Sequence, residues 1–198
     1  MANGHSTVAL CIIGTEITRG IIADKHATIM ARELTNLGYL VSRIVIVPDD
    51  GSLSPLLRHC AQEVDIILLT GGLGPTSDDL TRQVVADLAG VPLVQDAAAY
   101  QDLYARIGDR IEGANKRQVL FPEGFRVIPN PKGTAPGFTG SFPPPGGSDD
   151  RLVTCYAMPG PPVEMHEMFF GRVLPELAEA LGKTLVGRDE YTCFLTPE

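Results

Sequence analysis

The chain is short of positive charge. Its 198 residues hold 16 lysines and arginines against 24 aspartates and glutamates, for a formal net charge of −8 at pH 7. That balance excludes a general binder of nucleic acid or of an anionic membrane surface. An anionic small molecule stays open, provided backbone amides, a few cations or a metal neutralise it locally. Cysteine is also sparse: Cys11, Cys60, Cys155 and Cys193 are widely spaced and form no CxxC pair. This excludes a disulfide framework or a zinc site and suits reduced thiols in a cytoplasm. No stretch approaches a membrane span, and the apolar run over residues 8–13 has no basic region before it and is too short for a signal peptide. A soluble, cytoplasmic protein is predicted.

Several catalytic signatures are missing as well. His5, His26, His59 and His166 show no HExxH-type spacing, so no role is assigned to them, and there is neither a GxSxG motif nor a Ser–His–Asp order. The glycine-rich stretch at residues 70–79 lacks the GK[ST] ending of a P-loop. It also follows a third strand, not the first, which excludes the first-turn dinucleotide fingerprint. Lys116 and Lys132 read as solvated.

What is present is a chain with 44% hydrophobic residues, enough for one domain with a proper core. The run over 8–13 predicts a strand buried on both faces. A helix follows from near Asp24, with Ala27, Met30, Leu34 and Leu37 on one face and Gly38 just past its end. A strand over 40–47, a helix over 52–63 and a strand over 64–69 come next. Leu80, Val84, Val85 and Leu88 then stand at helical spacing. Such alternation marks an α/β domain with a mostly parallel sheet. Further on, helices are predicted over 96–111, over 114–120, from Pro162 through Phe169 and over 175–181. Strands are predicted over 125–128, 138–142 and 152–158, and a mobile proline-rich hairpin tip over 143–150. The domain is assigned to residues 1–182, and 183–198 to an extended segment that reads as the start of a following region.

The chain is organised around Thr70-Gly71-Gly72-Leu73-Gly74-Pro75-Thr76-Ser77-Asp78-Asp79. Three glycines in a strand-to-helix turn let backbone N–H groups face an anion at close range. Asp78 and Asp79 then open the next helix, where they serve either as a cap or as part of a ligand site. In wound α/β sheets, ligands sit beyond the carboxyl ends of the strands. Glu16, Asp49, the glycine turn, the loop from Asn130 through Gly133 to Thr134, and the turn from Gly160 to Glu164 all follow predicted strands. Glu16, Asp49, Asp78 and Asp79 therefore form a carboxylate cluster suited to Mg²⁺ or a similar divalent metal bridging to phosphate oxygens. Thr70, Gly71, Gly72, Gly74, Thr76, Asn130, Gly133, Thr134, Gly160 and Glu164 are the candidate ligand-binding residues.

The glycine turn together with Asp78-Asp79-Leu80-Thr81 resembles the signature of the molybdopterin-binding domain shared by MogA/MoaB proteins and the N-terminal part of the CinA (competence/damage-inducible protein A) family. Gly14-Thr15-Glu16-Ile17 with Gly20, Leu120-Phe121-Pro122-Glu123-Gly124, the segment over 129–137 and the segment over 158–165 resemble the CinA branch. The resemblance runs collinearly over residues 8–180. It implies a three-layer α/β/α sandwich with a mostly parallel sheet and a pterin or nucleotide pocket at the glycine turn. It further implies catalytic roles for Asp49 and Asp79, which match the two aspartates behind Mg²⁺-dependent adenylylation of molybdopterin. In the CinA branch the resemblance implies metal-dependent cleavage of ADP-ribose-like pyrophosphates, and for the family a homo-oligomer, dimer or trimer. Asp24-Lys25-His26 departs from the CinA pattern toward MogA/MoaB. The nicotinamide-nucleotide deamidase domain of full CinA proteins does not follow here, so deamidase activity is not expected. The reading is a domain that binds a nucleotide or pterin diphosphate and cleaves ADP-ribose. The alternatives are a molybdopterin-binding protein or adenylyltransferase of molybdenum cofactor biosynthesis, and a binding module without turnover.

Overall fold

The computed structural model describes residues 6–147 and 150–183. The predicted segment over 184–195, and with it most of 183–198, lies outside the described residues.

Among the described residues eight strands form: β1 (Thr7–Ile13), β2 (Leu40–Val47), β3 (Ile66–Thr70), β4 (Leu93–Gln95), β5 (Leu120–Pro122), β6 (Arg126–Ile128), β7 (Gly137–Phe142) and β8 (Val153–Met158). Six make one sheet in the order β2-β1-β3-β8-β7-β6. The pairs β1–β2, β1–β3 and β3–β8 are parallel, and β7 is antiparallel to both β8 and β6. Two reversals return β6 to the direction of the parallel set. The loop after β6 therefore opens at the same sheet edge as the loops after β1, β2, β3 and β8. That is why residues 60 to 150 positions apart can share a site.

The helices are α1 (Thr15–Thr18), α2 (His26–Leu37), α3 (Leu53–Glu63), α4 (Thr81–Ala89), α5 (Ala97–Ile107), α6 (Pro162–Met168) and α7 (Leu174–Ala180). They cover both faces of the sheet, and β1 explains how. Its side chains alternate, Ala9, Cys11 and Ile13 entering one core with α3 and α4, and Val8, Leu10 and Ile12 the other with α2, α6 and α7. A strand buried on both faces must be apolar throughout, as this one is. Cys11, Cys60 and Cys155 are free thiols packed in the α3/α4 core. The expected face of α2 (Ala27, Met30, Leu34, Leu37) is buried, and Gly38 ends the helix in the left-handed conformation.

The structure departs from the periodicity reading in four places. The segment over 114–120 is a 3₁₀ stretch (Gly113–Val119) that runs straight into β5, and β5 pairs with β4 in a two-strand ladder. The helix expected over 96–111 stops at Ile107, where Gly108 begins a 3₁₀ turn, and Asp96 caps its start by accepting from Ala99 N at 2.7 Å. α6 and α7 are joined through a π turn (Phe169–Val173) and do not separate. The helix after β3 starts at Thr81, so Asp78 and Asp79 precede it. The proline-rich tip leans on α3, where Gln62 Nε2 donates to Pro145 O at 3.2 Å. Among the described residues no helix is long and apolar enough to cross a membrane.

Candidate functional site

Strand order reverses at β1, whose neighbours β2 and β3 come from opposite directions of the winding, and a crevice opens at such a point. A cleft of about 910 Å³ lies there, walled by the loops after β1, β2, β3 and β8 together with Gln118, Thr134 and Ala135.

The glycine turn forms its floor. Gly71 and Gly72 have φ of 101° and 65°. A Cβ on Gly71 would overlap the Ile13 carbonyl oxygen, and one on Gly72 would overlap Thr81 Oγ1. Only glycine meets both demands. Thr81 Oγ1 donates to Gly71 O at 2.9 Å, locking the turn to the first residue of α4. Asp79 reaches back into the same turn. Its Oδ1 accepts from Gly74 N at 2.7 Å, and its Oδ2 accepts from Thr76 N at 2.8 Å and Thr76 Oγ1 at 2.6 Å. A Cβ on Gly74 would stand 2.6 Å from Asp79 Oδ2, so this glycine makes room for the carboxylate. The amides of Gly74 and Thr76 are thus engaged. Those of Gly72 and Leu73, both in the cleft wall, have no hydrogen-bond partner among the described residues. Asp78 sits on the exposed rim and accepts from Ser77 Oγ at 3.1 Å.

The cleft is acidic. Asp49, just past β2, accepts from Thr15 N at 3.1 Å on Oδ2, and its own amide donates to Thr15 Oγ1 at 3.1 Å. Burial pushes the Asp49 carboxyl above its ordinary value, and the nearby charges of Glu16 and Asp79 push it further, against the pull of the Thr15 amide. Glu164 opens α6 and accepts from Asn130 Nδ2 at 2.7 Å. Six carboxylates (Glu16, Asp24, Asp49, Asp78, Asp79, Glu164) line the cleft against a single lysine, Lys25.

Three of the expected ligand residues stand behind the wall. Thr70 is fully buried, its Oγ1 3.4 Å from His26 Nδ1. Asn130 is 3% exposed and staples its own loop, donating to Ala135 O at 2.9 Å and accepting from the amides of Lys132 and Gly133 at 3.0 and 2.9 Å. Gly133 is held there, and a Cβ on it would overlap the Glu164 carboxylate. Gly71, Gly72, Gly74, Thr76, Thr134, Gly160 and Glu164 line the cleft directly, as do Glu16, Asp49, Asp78 and Asp79. At Gly160 the second turn passes beside the first, where a Cβ would lie in ordinary contact, 3.4 Å from Gly71 Cα.

Sequence reasoning missed four contributors. His26 lines the cleft, 7% exposed, and burial lowers its pKa, so its imidazole is neutral at pH 7. Asp24 caps α2, accepting from the amides of His26 and Ala27 at 3.0 and 3.1 Å. Arg82 is 4% exposed and stacks 5.6 Å above the Phe121 ring centre. It donates to Leu73 O at 2.8 Å, Gln118 O at 3.4 Å and Pro136 O at 3.4 Å, tying three separate loops of the cleft together. Burial lowers its pKa to about 10, opposed by Asp79, so it stays charged at pH 7. Gln118 is the fourth. An arginine at i+1 of a helix start and a glutamine in a 3₁₀ stretch carry no sequence signal that separates them from surface residues.

Among the described residues no group of three or more His, Cys, Asp and Glu could hold a metal ion by itself. The donor set nonetheless fits Mg²⁺, which binds through one or two carboxylates and completes its shell with water and ligand phosphates. Asp49 and Glu16 line the same cleft and could supply that pair of carboxylates, whereas both oxygens of Asp79 are taken by the glycine turn.

Compared with known proteins, residues 9–179 match a family model described as a probable molybdopterin binding domain. A CinA-like protein of Citrifermentans bemidjiense is 41% identical over 175 residues, covering 86% of this chain and 40% of that protein. The chain spans about two fifths of the length of the curated relatives it matches. Among solved structures, the protein CinA of Thermoplasma acidophilum superposes with a TM-score of 0.73 at 28% identity, over 83% of this chain and 95% of that one. The tungsten cofactor synthesizing protein MoaB of Pyrococcus furiosus superposes with a TM-score of 0.54 at 20% identity, over 90% and 99%, and speaks for the three-layer fold alone.

Proposed function

This chain belongs to the molybdopterin-binding domain family and has CinA-like relatives, and from that premise we propose that it binds a diphosphate-bearing nucleotide and cleaves it as a metal-dependent ADP-ribose pyrophosphatase. One observation carries the reading. The amides of Gly72 and Leu73 have no hydrogen-bond partner among the described residues, and both residues line the same cleft as Asp49 and Glu16. Amides of that kind hold phosphate oxygens, and the two carboxylates suit the cation such a ligand brings.

The roles of the residues follow from their contacts. Gly72 and Leu73 N–H groups donate to the diphosphate and fix it over the turn. Asp79 keeps that turn in shape through three hydrogen bonds and Arg82 holds it to the far wall, so both are positioning residues. Asp49 and Glu16 would hold the divalent cation, with Asp49 oriented by Thr15. A bound cation supplies Lewis-acid polarisation of the phosphoryl group and offsets the repulsion between the acidic wall and an anionic ligand. Water then forms one P–O bond as the P–O–P anhydride bond breaks, giving AMP and ribose 5-phosphate, and the proton leaves through the open cleft. The family match favours a second reading, binding of molybdopterin with or without adenylyl transfer.

The test is a product assay with the full chain, ADP-ribose and Mg²⁺, Mn²⁺ or Co²⁺. AMP and ribose 5-phosphate are expected only with metal, and Asp49→Ala should lower the rate at least about 100-fold. No product with any metal, while molybdopterin raises the melting temperature, would replace this reading with cofactor binding.

A further inference from the structure

One hydroxyl hydrogen decides how His26 meets the cleft. Thr70, the last residue of β3, is fully buried. Among the described residues its Oγ1 has a single hydrogen-bond neighbour, His26 Nδ1 at 3.4 Å. A buried hydroxyl that donates to nothing has lost its water without return. The Thr70 hydrogen therefore goes to Nδ1, which accepts only while it carries no proton. A neutral imidazole then holds its one hydrogen on the other nitrogen. His26 is the Nε2–H tautomer.

That nitrogen is turned away from the strand. The two ring nitrogens face nearly opposite sides of an imidazole, and Nδ1 is given to Thr70 inside the wall. Nε2 has no partner among the described residues, yet it is not shut off. The buried side-chain nitrogens and oxygens left unpaired there are Arg82 Nε and Gln118 Oε1, and Nε2 is not with them. The rest of His26 is enclosed and the residue lines the cleft, so the cleft is where water reaches Nε2. Thr70 directly precedes Gly71, which sets this N–H beside the turn that carries the Gly72 and Leu73 amides. Asp24 fixes the ring's backbone by accepting from the amides of His26 and Ala27.

We propose that His26 is a third donor to the diphosphate: its Nε2–H binds a phosphoryl oxygen of the ligand held by Gly72 and Leu73, with Thr70 as the positioning residue that fixes the tautomer. The inference rests on the nucleotide reading above. A neutral donor suits a cleft lined by six carboxylates. An imidazolium would be drawn to one of them, and its Nδ1–H would leave the Thr70 hydrogen without an acceptor. The neutral ring satisfies Thr70 and keeps its own N–H for the ligand.

The test joins histidine ring-nitrogen NMR with calorimetry, both on the full chain at pH 7. The His26 signal, one of four histidines, is identified by its loss in His26→Gln. The free wild type should show it as Nε2–H. ADP-ribose with Mg²⁺, and separately inorganic pyrophosphate with Mg²⁺, should each shift that nitrogen. His26→Phe, which keeps the ring and removes the donor, should bind both ligands at least about tenfold more weakly. His26→Gln puts an amide N–H near the place of Nε2–H and should recover most of that loss. An Nδ1–H signal in the free protein overturns the proposal, and so does a wild-type Nε2 signal that bound ligand leaves unmoved; neither reading needs His26→Phe to fold. A folded His26→Phe protein that binds both ligands like the wild type overturns it as well. Weakening toward ADP-ribose alone takes the donor off the diphosphate and has the same force. If the wild type binds neither ligand, the nucleotide reading falls and this inference with it.

Discussion

Asp79 accepts from two amides and a hydroxyl of the turn that precedes it, whereas Asp49 accepts from one amide and faces two other carboxylates. The two residues therefore respond differently to the same substitution. Asp79→Asn leaves one acceptor oxygen where two were used, so the amide of Gly74 or of Thr76 loses its partner. A loss of about 1–3 kcal/mol in urea unfolding is expected, together with loss of ligand binding. Asp49→Asn keeps an oxygen for the Thr15 amide and removes a partly buried charge. It should leave the melting temperature unchanged or raise it, while removing turnover, the trade expected where function holds like charges together. The pH dependence has a definite sign. A carboxyl raised in the folded state binds its proton more tightly there than in the unfolded chain, so its contribution to stability is greatest at low pH. That contribution declines as pH rises from about 3.8 through the folded value. In metal-free buffer the stability advantage of Asp49→Asn should accordingly be absent in acid and appear as pH rises through that window; an advantage already complete in acid would contradict the burial argument.

At the scale of elements, the cleft is held together by one side chain from the first turn of α4. Arg82 bridges the loop after β3, the 3₁₀ segment before β5 and the loop between β6 and β7. Arg82→Met removes the bridge and leaves buried carbonyls bare. A destabilisation of about 3 kcal/mol by urea unfolding is expected, partly offset because a buried charge disappears as well. Arg82→Lys should recover little, since an ammonium cannot span three acceptors in a planar fork. The elements themselves were unevenly legible. β1, α2 and β3 could be read directly because burial on one face or two leaves a periodicity of its own. The segment over 114–120 read as a helix because its polar and apolar order suits either a helix or a 3₁₀ run. The partner that decides, β4, is three residues long with two of them exposed, and so carries no pattern.

For the whole molecule, the charge of the cleft sets a condition on binding. With six carboxylates and one lysine on its walls, a diphosphate ligand should raise the melting temperature only with a divalent cation present, and each should tighten the other's binding by the same factor. Thermal shift with ADP-ribose, Mg²⁺, both and neither checks this. Equal stabilisation by ADP-ribose with and without Mg²⁺ would show that the amides of Gly72 and Leu73 suffice alone.

The sequence by itself determined the alternation of strands and helices, the glycine turn and the set of loops that carry the polar residues. Each of these follows from local rules: apolar period, positive φ, and helix start and stop. Tertiary structure alone decided which of those residues line the cleft. Thr70 lies behind the wall as the buried last residue of β3, and Asn130 and Gly133 because the Asn130 side chain staples their loop. Asp79 is turned into the backbone because Gly74 leaves room for it. His26, Arg82 and Gln118 enter the site only because the strand order β2-β1-β3-β8-β7-β6 brings distant loops to one edge. A hydrogen bond between residues 36 or 54 positions apart leaves no periodic trace in the chain, so the sheet had to be assembled before these partners could be seen.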